Sequence, residues 1–100
     1  MECYFVVSIY EGEERNMDYA EYIKKVKPVV EKYGGKYLVR TDAVFSLSDN
    51  WNPDRFIIIR FSDRKTLDLC FSSKEYTDIM YKRIGAVDSR AIIVGGCDED

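Results

Sequence analysis

Two segments of this 100-residue chain are apolar or aromatic at almost every position, and they constrain its fold more than any other feature. They are CYFVVSIY, residues 3–10, and FIIIRF, residues 56–61, and their β-branched and aromatic content predicts two β-strands. A strand with one face in water would alternate apolar and polar residues, which neither segment does. Both strands therefore need cover on both faces.

Helical periodicity appears in two other regions. Residues 17–33 carry apolar side chains at helical spacing, and Pro28 inside this helix predicts a kink. Ser62 is expected to cap a short helix, and Ser72 a further helix, with Glu75 at capping-box spacing. The stripe of this last helix consists of Tyr76, Ile79, Met80, Arg83, Ile84 and Val87.

The segment after the first helix predicts a second strand. Gly34 is expected to be the left-handed residue past the helix end, and Gly35 to let the chain turn sharply. The strand begins at residues 36–40 and is expected to continue through 43–47. Asp, Asn and Pro then mark a turn at 48–55.

With a last strand at residues 89–96, the elements follow in the order β-α-β-β-α-β. This order predicts a ferredoxin-like α+β fold, in which an antiparallel sheet carries its helices on one face. The first and third strands lie in the middle of such a sheet, and they are the most apolar strands here. Residues 1–96 are predicted to form a single domain, followed by an acidic C-terminal tail at 97–100.

The face of the sheet turned away from the helices needs a cover of its own. The helix-facing set is expected to be purely apolar and to comprise Phe5, Val7, Ile9, Ile57, Ile59 and Phe61. The opposite set mixes polar and apolar side chains and comprises Tyr4, Val6, Ser8, Tyr10, Phe56, Ile58 and Arg60. Because a second copy packed sheet against sheet would cover this set, we predict a homodimer.

Charge and hydropathy exclude several classes of partner. The formal net charge is -3 and the pI is about 5.0, which leaves no general basic surface for nucleic acid or anionic lipid. No apolar run approaches the ~20 residues that a membrane span needs. The first residues also lack the basic region of a secretory signal. We expect a cytoplasmic protein that binds neither nucleic acid nor membranes.

The chain contains no histidine, which narrows its chemistry. Imidazole metal ligands, histidine-ligated haem and Ser-His or Cys-His nucleophile pairs are excluded. Cys3, Cys70 and Cys97 have neither disulfide-framework nor zinc spacing and are expected to be ordinary thiols. We predict no metal and no cofactor, so acid–base chemistry would come from Tyr, Lys, Cys or a carboxylate.

Arg83 and Tyr76 are the candidate catalytic residues, since both fall on the stripe of the last helix. A charge on that stripe must be paired or must reach a polar cavity. Arg83 is either a clamp for an anion or carbonyl, or a packed stem whose head reaches solvent or pairs with Glu75 or Asp88. Tyr76 either orients a substrate oxygen as a general acid or is a core tyrosine with one hydrogen-bond partner.

Arg40, Arg60, Trp51 and Tyr4 are the candidate ligand-binding residues. Arg60 and Tyr4 point to the face predicted to form the dimer, where Arg60 needs a carboxylate, for example from the partner, or lines a wet cavity. Arg40 is either a solvated edge arginine or a ligand contact. Trp51 either plugs an open end of the sheet or stacks on a ligand, and Ser89 is expected at a strand start or dimer rim.

Three segments carry a resemblance to a known family: KPVVEKYGGKYLVR, WNPDRFIIIRF and SSKEYTDIMYKRIGAVDSRAIIVGG. In order and spacing they resemble the small bacterial family called domain of unknown function thirteen-thirty, over nearly the whole chain. The matching positions are Gly34, Gly35, Tyr37, Leu38, Arg40, Trp51, Pro53, Arg55, Phe61, Ser73, Glu75, Tyr76, Arg83 and Ser89. The resemblance implies a ferredoxin-like protomer of the dimeric α/β-barrel superfamily, which includes monooxygenases, isomerase-like proteins and haem-dependent enzymes.

The resemblance implies no reaction, because the family has none established. The chain also departs from its pattern, with Cys70 and Phe71 where relatives tend to have an aromatic pair and Arg60 where they commonly have Glu. Thr41 and Asp42 stand where relatives often have glycines. The first two departures change side chains that could line a pocket, so a substrate does not carry over.

Three functions remain open at this stage. The first is a cofactor-independent enzyme, monooxygenase- or isomerase-like, that acts on a small carbonyl-bearing or anionic molecule held between the sheet and the helices. The second is a binding or sensing module that holds a metabolite without converting it. The third is a structural dimerisation domain.

Overall fold

Strands from both ends and from the middle of the chain form one antiparallel sheet. A computed structural model describes residues 1–11, 17–83 and 87–97, without the side chains of residues 17 and 18. Its elements are β1 (Cys3–Tyr10), α1 (Met17–Lys32), β2 (Lys36–Thr41), β3 (Arg55–Phe61), α2 (Arg64–Ser72), α3 (Lys74–Thr77), a 3-10 helix (Met80–Lys82) and β4 (Asp88–Gly95). None of the helices within these ranges is long and apolar enough to cross a membrane.

The 4-stranded sheet has the order β2-β3-β1-β4, so β1 and β3 occupy the middle as predicted. Val7 pairs with Ile57 of β3 and with Ala91 of β4, and all neighbours are antiparallel. This confirms the ferredoxin-like α+β fold. The two most apolar strands are central because only there does a strand have a neighbour on each side and a core beneath it.

The core lies between the helices and the predicted apolar set of the sheet. α1 contributes side chains at helical spacing, namely Tyr19, Tyr22, Val26 and Val30, all buried. The sheet contributes Val7, Ile9, Ile59 and Phe61, with Phe5 and Ile57 packed against them. Pro28 lies inside α1. Its kink stays a prediction.

The opposite face of the sheet is left open by the described helices. Its apolar members Val6, Ile58 and Phe56 do not belong to the core cluster. In register, Ile92 of β4 pairs with Val6 and is 60% exposed. We call this surface, with residues Tyr4, Val6, Ser8, Tyr10, Val39, Phe56, Ile58, Arg60, Arg90, Ile92 and Val94, the open face.

The predicted continuation of β2 through 43–47 is wrong. The strand ends at Thr41, whose hydroxyl accepts a hydrogen bond from the Ala43 amide at 2.9 Å. That local bond satisfies the amide and turns the chain away from the sheet. Phe45 and Leu47, whose apolar character favoured a strand, are instead 88% and 102% exposed.

The helical region after β3 also differs from its prediction. Asp63, rather than Ser62, caps α2, since its Oδ1 accepts from the Thr66 amide at 2.8 Å. Ser73, rather than Ser72, caps α3 by accepting from the Tyr76 amide at 3.2 Å. In both places the true cap lies three residues before the amide that it satisfies.

The prediction of a single long helix carrying both Tyr76 and Arg83 is wrong as well. α3 ends at Thr77, whose hydroxyl donates to the Lys74 carbonyl at 3.2 Å, and a 3-10 helix begins at Met80. Such side-chain bonds to the backbone compete with a continuing helix. Residue 84 of the predicted stripe and residues 98–100 of the predicted tail lie outside the described residues.

Candidate functional site

A cavity of ≈ 250 Å³ lies between the helix-facing side of the sheet and the helices. Aliphatic and aromatic side chains form most of its wall, and the polar groups come from tyrosines and one arginine. The lining residues are Phe5, Val7, Ile9, Tyr19, Tyr22, Val26, Tyr37, Ile57, Ile59, Phe71, Tyr76, Arg83 and Ala91. An apolar cavity with a few converging polar groups is the usual form of a small-molecule site.

The two candidate catalytic residues both line this cavity, although the single long helix expected to carry them does not form. Tyr76 is buried and held by the Ser73 cap at the start of α3. Its hydroxyl lies 3.1 Å from that of Tyr22 on α1, and either oxygen can donate. The phenol pair therefore joins α1 to α3 at the wall of the cavity.

Arg83 follows the 3-10 helix and reaches the cavity beside this phenol pair. Its Nη1 donates to the Ser89 hydroxyl of β4 at 2.9 Å. Its Nε is buried and has no hydrogen-bond partner among the described residues. Burial lowers the pKa of the guanidinium, but the nearby Tyr76 and Tyr22 oxygens outweigh this effect, and the pKa is raised overall.

The salt bridge considered for Arg83 does not form. Glu75 instead accepts from the Tyr33 hydroxyl at 2.7 Å and pairs with Lys32 at 3.5 Å. Across the described ranges, no carboxylate lies within ion-pair distance of Arg83, Asp88 included. Arg83 is therefore a half-buried cation that faces phenols and a hydroxyl.

Burial keeps the other cavity phenols protonated. It raises the pKa of Tyr19 and of Tyr37 to about 12, and it also raises the pKa of Tyr22. Desolvation penalises the phenolate, so these groups are neutral near pH 7. They can donate hydrogen bonds to a ligand oxygen, and they are poorly suited to remove a proton from one.

Arg40 lies close to the cavity without lining it. Its Nη2 donates to the Ile23 carbonyl of α1 at 2.6 Å, and its guanidinium lies 5.0 Å from the centre of the Tyr37 ring. The expectation of a solvated edge arginine is incomplete, since the side chain is half-buried and ties α1 to β2. This contact positions Tyr37, which does line the cavity.

Arg60 and Tyr4 lie on the open face, away from the cavity. Arg60 pairs with Glu2, and the Tyr4 hydroxyl donates to the same carboxylate at 3.1 Å. These hydrogen bonds from Arg60 and Tyr4 lower the pKa of Glu2. The carboxylate that Arg60 was expected to need therefore comes from its own chain.

Trp51 borders a second cavity of ≈ 290 Å³ in the connection between β2 and β3. Its ring meets that of Phe56 edge-on, with centroids 6.0 Å apart. Phe56 belongs to the open face, so Trp51 covers one margin of that face. The two roles considered for Trp51, as a plug for an open end of the sheet or as a surface on which a ligand stacks, both stay predictions.

Several residues of the site were missed by the sequence analysis. Tyr19, Tyr22 and Tyr37 were placed on helix or strand faces, but nothing local marked them as neighbours of Arg83. Ser89 was expected at a strand start and in fact accepts from Arg83. In the parts of the chain that are described, no group of three or more His, Cys, Asp or Glu residues could hold a metal ion.

Comparison with known families identifies the chain. The family model described as "Domain of unknown function (DUF1330)" matches residues 2–97, and the chain belongs to this family. No curated protein matches it.

Solved structures share the fold at low sequence identity. A protein of unknown function from Rhodopseudomonas palustris has a TM-score of 0.80 and 20% identity, covering 97% of this chain and 83% of that one. A mutant of SnoaB, a cofactor-independent oxygenase from Streptomyces nogalater, has a TM-score of 0.69 and 7% identity, covering 97% and 94%. A DABB-family protein with a ferredoxin-like fold from Mesorhizobium loti has a TM-score of 0.65 and 8% identity, covering 97% and 98%.

Proposed function

We propose that this member of the DUF1330 family binds a small carbonyl-bearing or anionic molecule in the cavity and acts on it as a cofactor-independent enzyme. The observation that carries the proposal is the buried Nε of Arg83, which lacks a hydrogen-bond partner in the described residues and lies beside the cavity. A buried donor without a partner costs about 1–3 kcal/mol, which a ligand oxygen would offset.

The chemistry that this arrangement supports is stabilisation of negative charge on a substrate oxygen. Arg83 and Tyr76 would contact that oxygen, and the surrounding apolar wall would exclude water. Donors fixed in advance around a developing oxyanion commonly supply about 3–4 kcal/mol of transition-state stabilisation. Isomerisation next to a carbonyl, and oxygenation of an enolate by O2, both pass through such charge. Since the described lining holds no base, the proton released when the enolate forms would pass to water.

The fold lends this proposal support by analogy. SnoaB is described as a cofactor-independent oxygenase, and its chain has the same fold as this one. A shared fold does not determine a reaction, so the argument rests on the cavity and its polar groups.

Binding without conversion is the second candidate, and one observation favours it. Tyr19, Tyr22 and Tyr37 have raised pKa values, and the described lining contains no carboxylate, lysine or thiol to act as a base. A site with donors but no base suits a sensing or carrier role. A structural dimerisation domain, the third candidate, is favoured by the exposed apolar part of the open face.

The remaining parts of the proposal concern the setting of the site. We propose a homodimer formed through the open face, a cytoplasmic location, and no dedicated cofactor, metal, nucleic-acid or membrane partner. We also propose that residues 1–96 form a single domain and that residues 97–100 form its acidic tail.

A metabolite panel followed by thermal shift, and then by turnover assays on the ligands found, tests the site. Ligands of the cavity should raise the melting temperature of the wild-type protein by several degrees but not that of Arg83→Ala. Arg64→Ala is the matched control, because Arg64 is an exposed arginine that pairs with Asp68 and does not line the cavity. Equal stabilisation of wild type and Arg83→Ala would end the assignment of this site.

A further inference from the structure

The charge balance of the cavity restricts what it can hold. Among its described lining residues, Arg83 is the one charged group, and the others are aliphatic, aromatic or phenolic. A cation removed from bulk water is stable only when it is paired or richly hydrogen-bonded. Here Arg83 donates to the Ser89 hydroxyl and lies near the Tyr76 and Tyr22 oxygens, but no carboxylate among the described residues pairs with it. The cavity therefore carries one positive charge without a counter-ion in the described part of the chain.

The guanidinium also has a free edge on which a counter-charge can bind. Nη1 is directed to Ser89, while the Nε–H group lies on the other edge of the planar group, next to Nη2. Two parallel N–H groups on one edge match the two oxygens of a carboxylate. Ser89 thus fixes the guanidinium in an orientation that leaves a carboxylate-binding edge available.

The phenol pair adds a further donor at the same place. The hydroxyls of Tyr22 and Tyr76 are 3.1 Å apart, and each carries one hydrogen. One hydrogen is used within the pair, so the other is free to donate. Since burial raises the pKa of Tyr22, its phenol does not compete as an anion for Arg83.

The rest of the cavity accommodates an apolar body of limited size. The rings of Phe5 and Phe71 are tilted by 32° with centroids 4.6 Å apart, and Phe71 meets Tyr76 edge-on at 4.9 Å. The volume of ≈ 250 Å³ is just below the range of about 300–1,000 Å³ found for drug-sized ligands. A ligand of one or two rings fits this volume better than a larger one.

We propose that the cavity selects a compact apolar monocarboxylate, which enters already ionised and places its carboxylate on the free edge of Arg83. This inference rests on the proposed function, because it names the ligand class of the same site. A neutral carbonyl compound would leave the positive charge unbalanced. A cation would be repelled, and a dianion would bring a charge that no lining group matches.

Binding of 2-naphthoate and of its neutral isostere 2-naphthamide, measured by calorimetry, tests this proposal. The two probes share a ring system and differ in charge. Wild-type protein should bind the carboxylate at least about tenfold more tightly, since hydrogen bonds to charged groups are the stronger ones. Arg83→Gln should remove this preference, whereas Arg64→Gln should keep it. Circular dichroism of each variant verifies that it is folded.

A cavity-blocking variant separates the outcomes. Ala91 lines the cavity and is exposed, so Ala91→Phe should fill the cavity without disturbing the core. Equal binding of both probes to wild type, abolished by Ala91→Phe, would overturn the charge preference and leave the proposed function standing. Binding of neither probe, or binding unaffected by Ala91→Phe, would overturn the inference and remove support for a small-molecule site as well.

Discussion

At the scale of single residues, Gly34 and Gly35 show that adjacent glycines can be required for different reasons. Gly34 has φ +83, as expected for the left-handed residue after a helix, and no described atom beyond its chain neighbours lies within 4 Å of where its Cβ would be. Gly35 does not have a positive φ. A Cβ there would lie 2.5 Å from Val30 Cγ1 and 2.9 Å from two ring atoms of Phe61. Close packing, and not only the expected turn, therefore requires the second glycine.

Replacing each glycine by alanine should separate these reasons. Gly34→Ala should cost about 1–2 kcal/mol of unfolding free energy, the strain of a left-handed backbone. Gly35→Ala should cost about 1–3 kcal/mol or more, because Val30 and Phe61 are fully buried and cannot easily move. Urea denaturation measures both.

The order of the two effects is the critical result. Gly35→Ala should be the more destabilising of the two. Adding Val30→Ala removes the side chain that the new Cβ would contact, so the double variant should lose less unfolding free energy than the sum of the two single variants. A Gly35→Ala variant as stable as wild type would show that the packing around Phe61 is looser than the structure indicates.

At the scale of secondary-structure elements, Ser73 decides where Tyr76 lies. It has φ -66 and ψ 153, which interrupts the helical chain between α2 and α3. Its hydroxyl accepts from the Tyr76 amide and donates to the Cys70 carbonyl at 2.7 Å. After this break a new short helix, α3, begins, and its Tyr76 lines the cavity.

Substitution of two adjacent serines should reveal this role. Ser73→Ala should lower the unfolding free energy by about 1 kcal/mol, the usual effect of losing an N-cap. Ser72→Ala is the matched control, since the Ser72 hydroxyl donates to the Asp68 carbonyl within α2 and caps no helix. Chemical denaturation should place the control within about 0.5 kcal/mol of wild type. A larger loss of unfolding free energy for Ser72→Ala than for Ser73→Ala would instead support the original prediction that Ser72 is the N-cap.

At the scale of the whole molecule, the described helices leave the open face without a cover. The central strands carry apolar side chains on both faces, and Ile92 and Val94 of β4 are exposed on the open face. In a single copy, the helices of the described ranges cover only one side of the sheet. Pairing of two open faces would bury this surface and would place the Glu2–Arg60 contact near the interface.

Sedimentation should therefore show a species of twice the 11.7 kDa protomer mass at micromolar concentration. Ile92→Glu, which places a charge on the open face, should shift the population to monomer. Leu69→Glu is the control, because Leu69 is similarly exposed but lies on α2, away from this face. A wild-type protein that sediments only as the protomer would exclude the homodimer at that concentration.

Local patterns in the sequence were sufficient to predict where the four strands and α1 occur and which face of the sheet packs against the core. Side chains repeat every two residues along a strand and about every 3.6 along a helix, so burial leaves a periodic trace within one segment. The same periodicity placed Tyr76 and Arg83 on one stripe, and both line the cavity. It failed at 43–47 and at Thr77, where single side-chain hydrogen bonds to the backbone ended elements that the apolar pattern would have continued.

The sequence by itself determined the order of the elements and the central strands, and it named Tyr76 and Arg83 as candidates while leaving their roles open. The tertiary structure alone decided that Tyr22 meets Tyr76, 54 residues away, that Arg83 donates to Ser89 rather than to a carboxylate, and that Phe61 leaves no space beside Gly35. These contacts join segments whose separation is set by the packing of the whole core. No local pattern records that separation, so no periodicity in the chain could have predicted the partners of Arg83.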